Sequence, residues 1–305
     1  MSWIEINEYQ SDGWADGVNA PSRARHYCAE LEKGQILFFR QPPFALPEDD
    51  RNFLVDQKAS DSRLHKNISY RPSKDLLRGF SHGKENQQRV HRIMRDYSSQ
   101  VTKFVSRFLA PYAGKLLMDF ASFRPLEEDG RNLPLHKKND LLHVDAFPSR
   151  PTRGGRILRV FTNVNPSKGR VWFVTDRFPA LASKFAADTG LKNIVDGASK
   201  FSGRLTQMLH AIGLPVTGRS PYDKFMLRFH DFLKENSTFQ ADSEKERLEF
   251  PPMATWLVYT DGVPHAALSG RFAMEQTFIV PVEALVAPEH APIRVLEEIY
   301  GKKLA

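Results

Sequence analysis

His143 and Asp145, two apart in Leu141-Leu-His-Val-Asp-Ala-Phe147, and His265, far along the chain, are residues whose types can hold one metal ion. On a strand, successive side chains alternate faces, so His143 and Asp145 project to one side and can occupy adjacent positions on an ion. His265 follows the apolar run Thr255–Thr260 and the turn Asp261-Gly-Val-Pro264. That turn aims it at the mouth of a barrel. Two histidines and one carboxylate on one face of an octahedral ion leave the other positions open, the facial triad of non-haem Fe(II) oxygenases. His-x-Asp alone arises by chance in many chains, and unrelated surface polars with a turn-capping histidine are the plain alternative. His136, in a lysine-rich stretch, and His210, in a helical pattern, are poorer third ligands.

An Fe(II) with open positions needs a reductant to activate O2, and 2-oxoglutarate fills that role as a chelating co-substrate. Its distal carboxylate requires a fixed cation, best supplied as an arginine fork. Such oxygenases commonly carry a base roughly ten positions after the distal histidine. Here that place holds Glu275 and Gln276, and the nearest base is Arg271. Strand parity offers a substitute. Arg159, Phe161 and Asn163 share one face of Arg156–Val164, Arg124 ends Met118–Arg124, and Arg170 alternates with Trp172. An arginine inside so apolar a strand is costly unless paired. Arg124, Arg159, Arg170 and Trp172 could therefore hold a dicarboxylate, or be ordinary rim charges.

The elements that must position these residues read as follows. Gln35–Arg40 is a buried strand, and His65–Pro72 a loop. From about Glu85 to Ala110, apolar residues recur at helical spacing, closed by Pro111. The other face of that helix carries Arg89, Arg92, Arg95, Lys103 and Arg107. Strands follow at Met118–Arg124, Leu141–Phe147, Arg156–Val164 and Arg170–Val174, with antiparallel turn chemistry at Arg153–Gly155 and Asn165–Gly169. The chain turns helical from about 177, with Ser220-Pro-Tyr-Asp223 as N-cap and first turn of a helix. Strands resume at Thr255–Thr260 and Gln276–Val280, and a last helix over Ile293–Tyr300 ends at Gly301. The expectation is an α+β fold: a jelly-roll (double-stranded β-helix) core with flanking helices and a helical insertion at about 177–250, residues 1–305 forming one domain.

A chain of 305 residues, 41% apolar and 26% charged, is long enough to bury a core without disulfides or structural metal. One cysteine, Cys28, excludes an internal disulfide framework and fits a reducing compartment. The N-terminus does not resemble a secretory signal, and no run approaches the about 18–20 apolar residues of a membrane span. A cytoplasmic protein is expected. The net charge of +7 favours anionic partners, although no aromatic-interleaved basic stripe suggests nucleic acid.

Leu142-His-Val-Asp-Ala-Phe-Pro-Ser-Arg-Pro-Thr152, Gly154-Gly-Arg-Ile-Leu-Arg-Val-Phe-Thr-Asn-Val-Asn-Pro166, His65-Lys-Asn-Ile-Ser-Tyr70 and Tyr259-Thr-Asp-Gly-Val-Pro-His265 together resemble the Kdo 3-hydroxylase family over nearly the whole chain. The resemblance implies a jelly-roll enzyme that uses Fe(II), 2-oxoglutarate and O2. Such an enzyme hydroxylates C3 of 3-deoxy-D-manno-oct-2-ulosonic acid (Kdo) in the lipopolysaccharide inner core, giving Ko. It implies iron ligands at His143, Asp145 and His265, and co-substrate contacts at Arg124, Arg159, Arg170 and Trp172. A further histidine that assists the oxygen chemistry falls on His230, which the helical pattern alone reads as a core histidine. The implied substrate is a Kdo-containing glycolipid such as Kdo-lipid A, met peripherally on the cytoplasmic face of the inner membrane. Lys66, Arg71 and the basic helix are candidates to meet its anions. Two other readings stay open: a 2-oxoglutarate oxygenase acting on a protein side chain or another sugar, and a non-catalytic sugar- or lipid-binding jelly roll.

Overall fold

In a computed structural model of the chain, residues 2–10, 13–56, 67–80, 83–130, 132–197 and 219–305 are described. Two sheets face each other. The larger has eight strands: β1 (Trp3–Glu5), β2 (Ile36–Phe39), β3 (Ile68–Arg71), β4 (Leu76–Arg78), β5 (Leu117–Arg124), β6 (Arg156–Asn163), β9 (Thr255–Tyr259) and β11 (Ala273–Val280). Their order is β1-β2-β9-β6-β11-β5-β3-β4, and the smaller sheet runs β10 (His265–Ser269), β7 (Arg170–Val174), β8 (Glu246–Phe250). Every pairing is antiparallel except β1 with β2. This is the expected jelly roll.

The two faces of the large sheet follow from strand alternation. Leu158 and Val160 of β6, Leu257 of β9 and Met274 of β11 pack outward, beneath α1 (Ala20–Glu32) and α3 (Lys84–Phe108), between which the chain forms the short α2 (Glu48–Asp56). Phe161 and Trp256 point the other way, against Trp172, Leu248 and Phe250 of the small sheet. Arg159 shares the parity of Phe161, so it projects between the sheets. The expected helix over 85–110 is α3, whose apolar stripe of Val90, Met94, Val101 and Val105 is fully buried.

Between β7 and β8 the chain carries α4 (Phe178–Phe185), helical residues 191–197, α5 (Pro221–Glu235) and α6 (Ser237–Asp242). β8 falls inside the range expected to be helical. The Ser220 hydroxyl caps α5 by accepting from the Asp223 N–H. These helices pack with α7 (Pro292–Tyr300) around Leu142, Val144 and Ala266, closing one end of the sandwich. Gly301 ends α7 in the left-handed conformation, φ 76°.

Two expected elements differ. The supposed loop before Pro72 holds β3, because Ile68 and Tyr70 are buried against α3 and the backbone pairs with β5. The segment 141–147 is not a strand: only His143 forms a bridge, to His265. Its other backbone groups are taken elsewhere. Leu142 N–H and C=O both bond the Gln240 side-chain amide, each at 2.9 Å, and Asp145 N–H donates to Thr260 O at 2.8 Å. His65, Lys66 and His210 lie outside the described residues.

Candidate active site

His265 opens β10 after a turn held from beneath. Arg156 and Asp261 form an ion pair at 2.9 Å, each side chain 1% exposed, and the Arg156 guanidinium lies 4.2 Å from the Tyr259 ring centre. Gly262 in that turn lies against the Arg156 guanidinium, which a Cβ there would have to displace. His143 meets His265 through two backbone bonds, His143 N–H to His265 O at 3.1 Å and His265 N–H to His143 O at 2.9 Å. Val144 turns into the helical cluster, which leaves His143 and Asp145 on the opposite side. Alternation thus holds although the ladder does not.

One ligand atom each from His143, Asp145 and His265 lie within 4.8 Å of one another. His143 Nδ1 faces Leu141 O at 2.7 Å, and His265 Nδ1 faces Val263 O at 2.9 Å. A nitrogen against a carbonyl must carry the proton, so each ring offers the Nε2 lone pair inward. Burial, then the neighbouring His265 and Lys234, holds His143 well below the usual imidazole range. Burial also lowers His265, with partial opposition from Asp145. Burial works to raise the Asp145 carboxyl, yet Arg159 and, after it, His265 and His143 hold it far below the usual carboxylate range. Neutral imidazoles beside an ionised carboxylate are the donor set a divalent cation needs. Asp145 Oδ2 is buried without a hydrogen bond, although Arg159 Nε lies 2.9 Å away. The residues therefore fit an Fe(II).

Arg159 reaches further. Its Nη1 donates to Glu275 Oε1 at 2.6 Å, while Arg124 Nε and Nη2 donate to Glu275 Oε2 at 2.9 and 2.6 Å. Glu275, 3% exposed, thus joins the two arginines, which hold its carboxyl low against the pull of burial. Arg170 donates to Gly270 O at 2.5 Å, with Glu128 Oε1 at 3.4 Å. Gly270 sits at φ 110°, and a Cβ there would come within 2.9 Å of Arg170 Cα. Trp172 stacks on His265, ring centres 4.8 Å apart at 22°. Arg170 Nε and Trp172 Nε1 are buried and make no hydrogen bond, while Arg159 Nε has only the Asp145 carboxylate beside it at 2.9 Å. Unmet donors beside a metal-type triad suit an anionic co-ligand such as 2-oxoglutarate.

Comparison with known proteins places the chain in a family. A family profile described as 3-deoxy-D-manno-oct-2-ulosonic acid (Kdo) hydroxylase matches residues 15–303. The chain belongs to the Kdo hydroxylase family. Among solved structures it is similar to the Kdo hydroxylase KdoO, a non-heme Fe(II) alphaketoglutarate dependent dioxygenase, in complex with alphaketoglutarate and Fe(III). That match has 32% identity and TM-score 0.82 over 100% of this chain and 98% of the other. KdoO with succinate and Fe(III) aligns at 31% identity and TM-score 0.81, over 100% and 97% of the two chains. A comparison with curated protein sequences finds no match.

Within this Kdo hydroxylase fold, His230 lies on α5 beside the triad. Its ring centre is 4.9 Å from that of His143, and its Nδ1 faces Val144 O at 2.7 Å. Burial and Lys234 lower it, so it too presents a neutral Nε2. The rival His136 is half exposed and bonds Glu235 at 2.6 Å. Arg271 lies over the Phe272 ring, 4.0 Å from its centre, and makes no ion pair among the described residues. Sequence reasoning missed the parts played by Glu275 and Glu128. In the sequence Glu275 shows only as an acid where a base is expected; that it shares a face with Arg159 follows from the β6–β11 register.

Proposed function

We propose that this chain hydroxylates C3 of Kdo in a Kdo-containing glycolipid, using Fe(II), 2-oxoglutarate and O2. The observation that carries the reading is the convergence of His143, Asp145 and His265 within 4.8 Å in a chain of the Kdo hydroxylase family. The three residues would hold iron through two Nε2 lone pairs and one carboxylate oxygen. Bound there with 2-oxoglutarate, iron supplies the O2 activation that protein side chains cannot perform. Arg124, Arg159, Arg170 and Trp172 orient the co-substrate's carboxylates, Glu275 keeping the first two arginines extended between the sheets. His230 is a neutral hydrogen-bonding group beside the open side of the site. The buried aromatics Phe161, Trp172 and Trp256 exclude water from the interior.

The expected result is a gain of one oxygen in Kdo-lipid A on mass spectrometry, matched by an equivalent of succinate. Hydroxylation of a peptide or a different sugar, with Kdo-lipid A untouched, would move the chain to another substrate.

The reading includes peripheral contact with an anionic membrane surface. It is supported by the net charge of +7 and by the anionic character of the substrate. No helix among the described residues is long and apolar enough to cross a membrane. The face of α3 is a weaker candidate than its sequence suggests, because Arg92 meets Asp50 at 2.6 Å and Arg95 meets Asp75 at 3.6 Å. Co-sedimentation with phosphatidylglycerol vesicles, released by salt, is expected; equal recovery with phosphatidylcholine vesicles speaks against the contact.

A further inference from the structure

Beyond the triad and its arginines, a second cationic group lies on the inner face of β5. Arg71 ends β3, where Ser69 pairs with Ser122 and Tyr70 with Ala121. Tyr70 turns toward α3, so Arg71 turns inward, its guanidinium 4.8 Å from the Phe120 ring centre. Arg150 lies 4.0 Å from the same ring centre and 4.4 Å from that of Phe147. Arg159 stands 5.7 Å from the Phe147 ring centre. A continuous path of guanidinium and ring therefore runs from Asp145 through Arg159, Phe147, Arg150 and Phe120 to Arg71.

The charges along it do not balance locally. Asp119 pairs with Arg150 at 2.9 Å, whereas Arg71 has no carboxylate within ion-pair distance among the described residues. Arg71 Nε and Arg150 Nε are both buried and make no hydrogen bond. Burying guanidinium nitrogens without an acceptor is unfavourable unless a ligand supplies one. A planar carboxylate matches a guanidinium fork, and the aromatic faces beneath suit the C–H surface of a sugar ring.

We propose that Arg71 and Arg150, seated on Phe120 and Phe147, bind the carboxylate of the sugar-acid substrate and so select an acid over a neutral sugar. This rests on the hydroxylase reading, and it deepens it. The carboxylate of Kdo is borne on C2, next to the reacting C3, so its clamp must adjoin the metal site, as the path through Arg159 does.

The test is oxygen-free equilibrium binding of Kdo and of its C1 carboxamide to the Fe(II)/2-oxoglutarate-loaded protein. Wild type and Arg71→Gln, which spares the Arg150–Asp119 pair, are compared. Wild type should favour the acid, and Arg71→Gln should weaken acid binding by about tenfold or more while leaving the amide nearly unchanged. Arg71→Lys should recover part of the loss, and the 2-oxoglutarate affinity should not move. Equal losses for acid and amide, or a weakened 2-oxoglutarate affinity, overturn the clamp. So does a loss seen only with phosphorylated glycolipid, which would make the site a phosphate receptor. Wild-type turnover of Kdo-lipid A is measured alongside. Its absence removes the hydroxylase reading, whereas an acid preference lost in Arg71→Gln still supports the carboxylate site.

Discussion

Replacing His143 or Asp145 with alanine should abolish iron-dependent succinate formation, with or without a sugar substrate. The ligand atoms of the triad lie within 4.8 Å of one another, so each supplies a distinct coordination position that no described neighbour duplicates. His230 is the nearest further imidazole, but its Nδ1 is tied to Val144 O on a different element. The two variants differ in their structural consequences. His143→Ala leaves the backbone bridge to His265 in place, since that bridge uses main-chain atoms. Asp145→Ala leaves Arg159 still bonded to Glu275 at 2.6 Å. Both proteins should fold, which makes the activity assay interpretable. A variant that produces succinate at the wild-type rate would remove the triad assignment.

Glu275→Ala should be the most destabilising single change in the site. Glu275 is the carboxylate shared by Arg124 and Arg159, and all three side chains are largely buried. Removing one partner leaves buried charge uncompensated, a loss of about 3–5 kcal/mol in comparable cases. Asp145 and Glu128 compensate only partly: Arg124 Nη1 is 3.7 Å from Glu128. Denaturant unfolding should show the lower midpoint, and the KM for 2-oxoglutarate should rise because both guanidiniums lose their fixed orientation. Glu275→Gln keeps the shape and some hydrogen bonding, so its loss should be smaller. An unchanged midpoint in Glu275→Ala would mean that the pair of arginines is solvated rather than held.

Much of the site was legible because strand parity is a local property. Arg159 and Phe161 project between the sheets, as alternation along Arg156–Val164 required. His143 and Asp145 share a side even though their segment is bonded to Gln240, His265 and Thr260 rather than to a ladder. That distinction is invisible in sequence, since a side-chain amide from α6 replaces a neighbouring strand. The strand β10, His265–Ser269, carries two alanines and a serine and gives almost no strand signal of its own. It exists because β7 pairs with it. β3 escaped for a similar reason: four residues ending at a proline read as a loop until β5 lies alongside.

Glu275 shows the limit most clearly. An acid in the usual place of the cation looked like a missing part, but its partners come from β5 and β6, far away in the chain. The identity of the sugar, likewise, was not readable from charge or spacing and came from family resemblance. Arg71, which the sequence offers only as one of several cations that could meet an anion, lies on the inner face of the sheet beside Phe120.

Turnover of Kdo-lipid A under 18O2, with both products analysed by mass spectrometry, decides whether the chain is a Kdo-lipid A hydroxylase. One 18O atom is expected in the sugar, located at C3, and one in succinate, in equal amounts. Succinate formed with 18O while the sugar stays unlabelled, or no 18O in either product, would contradict that function.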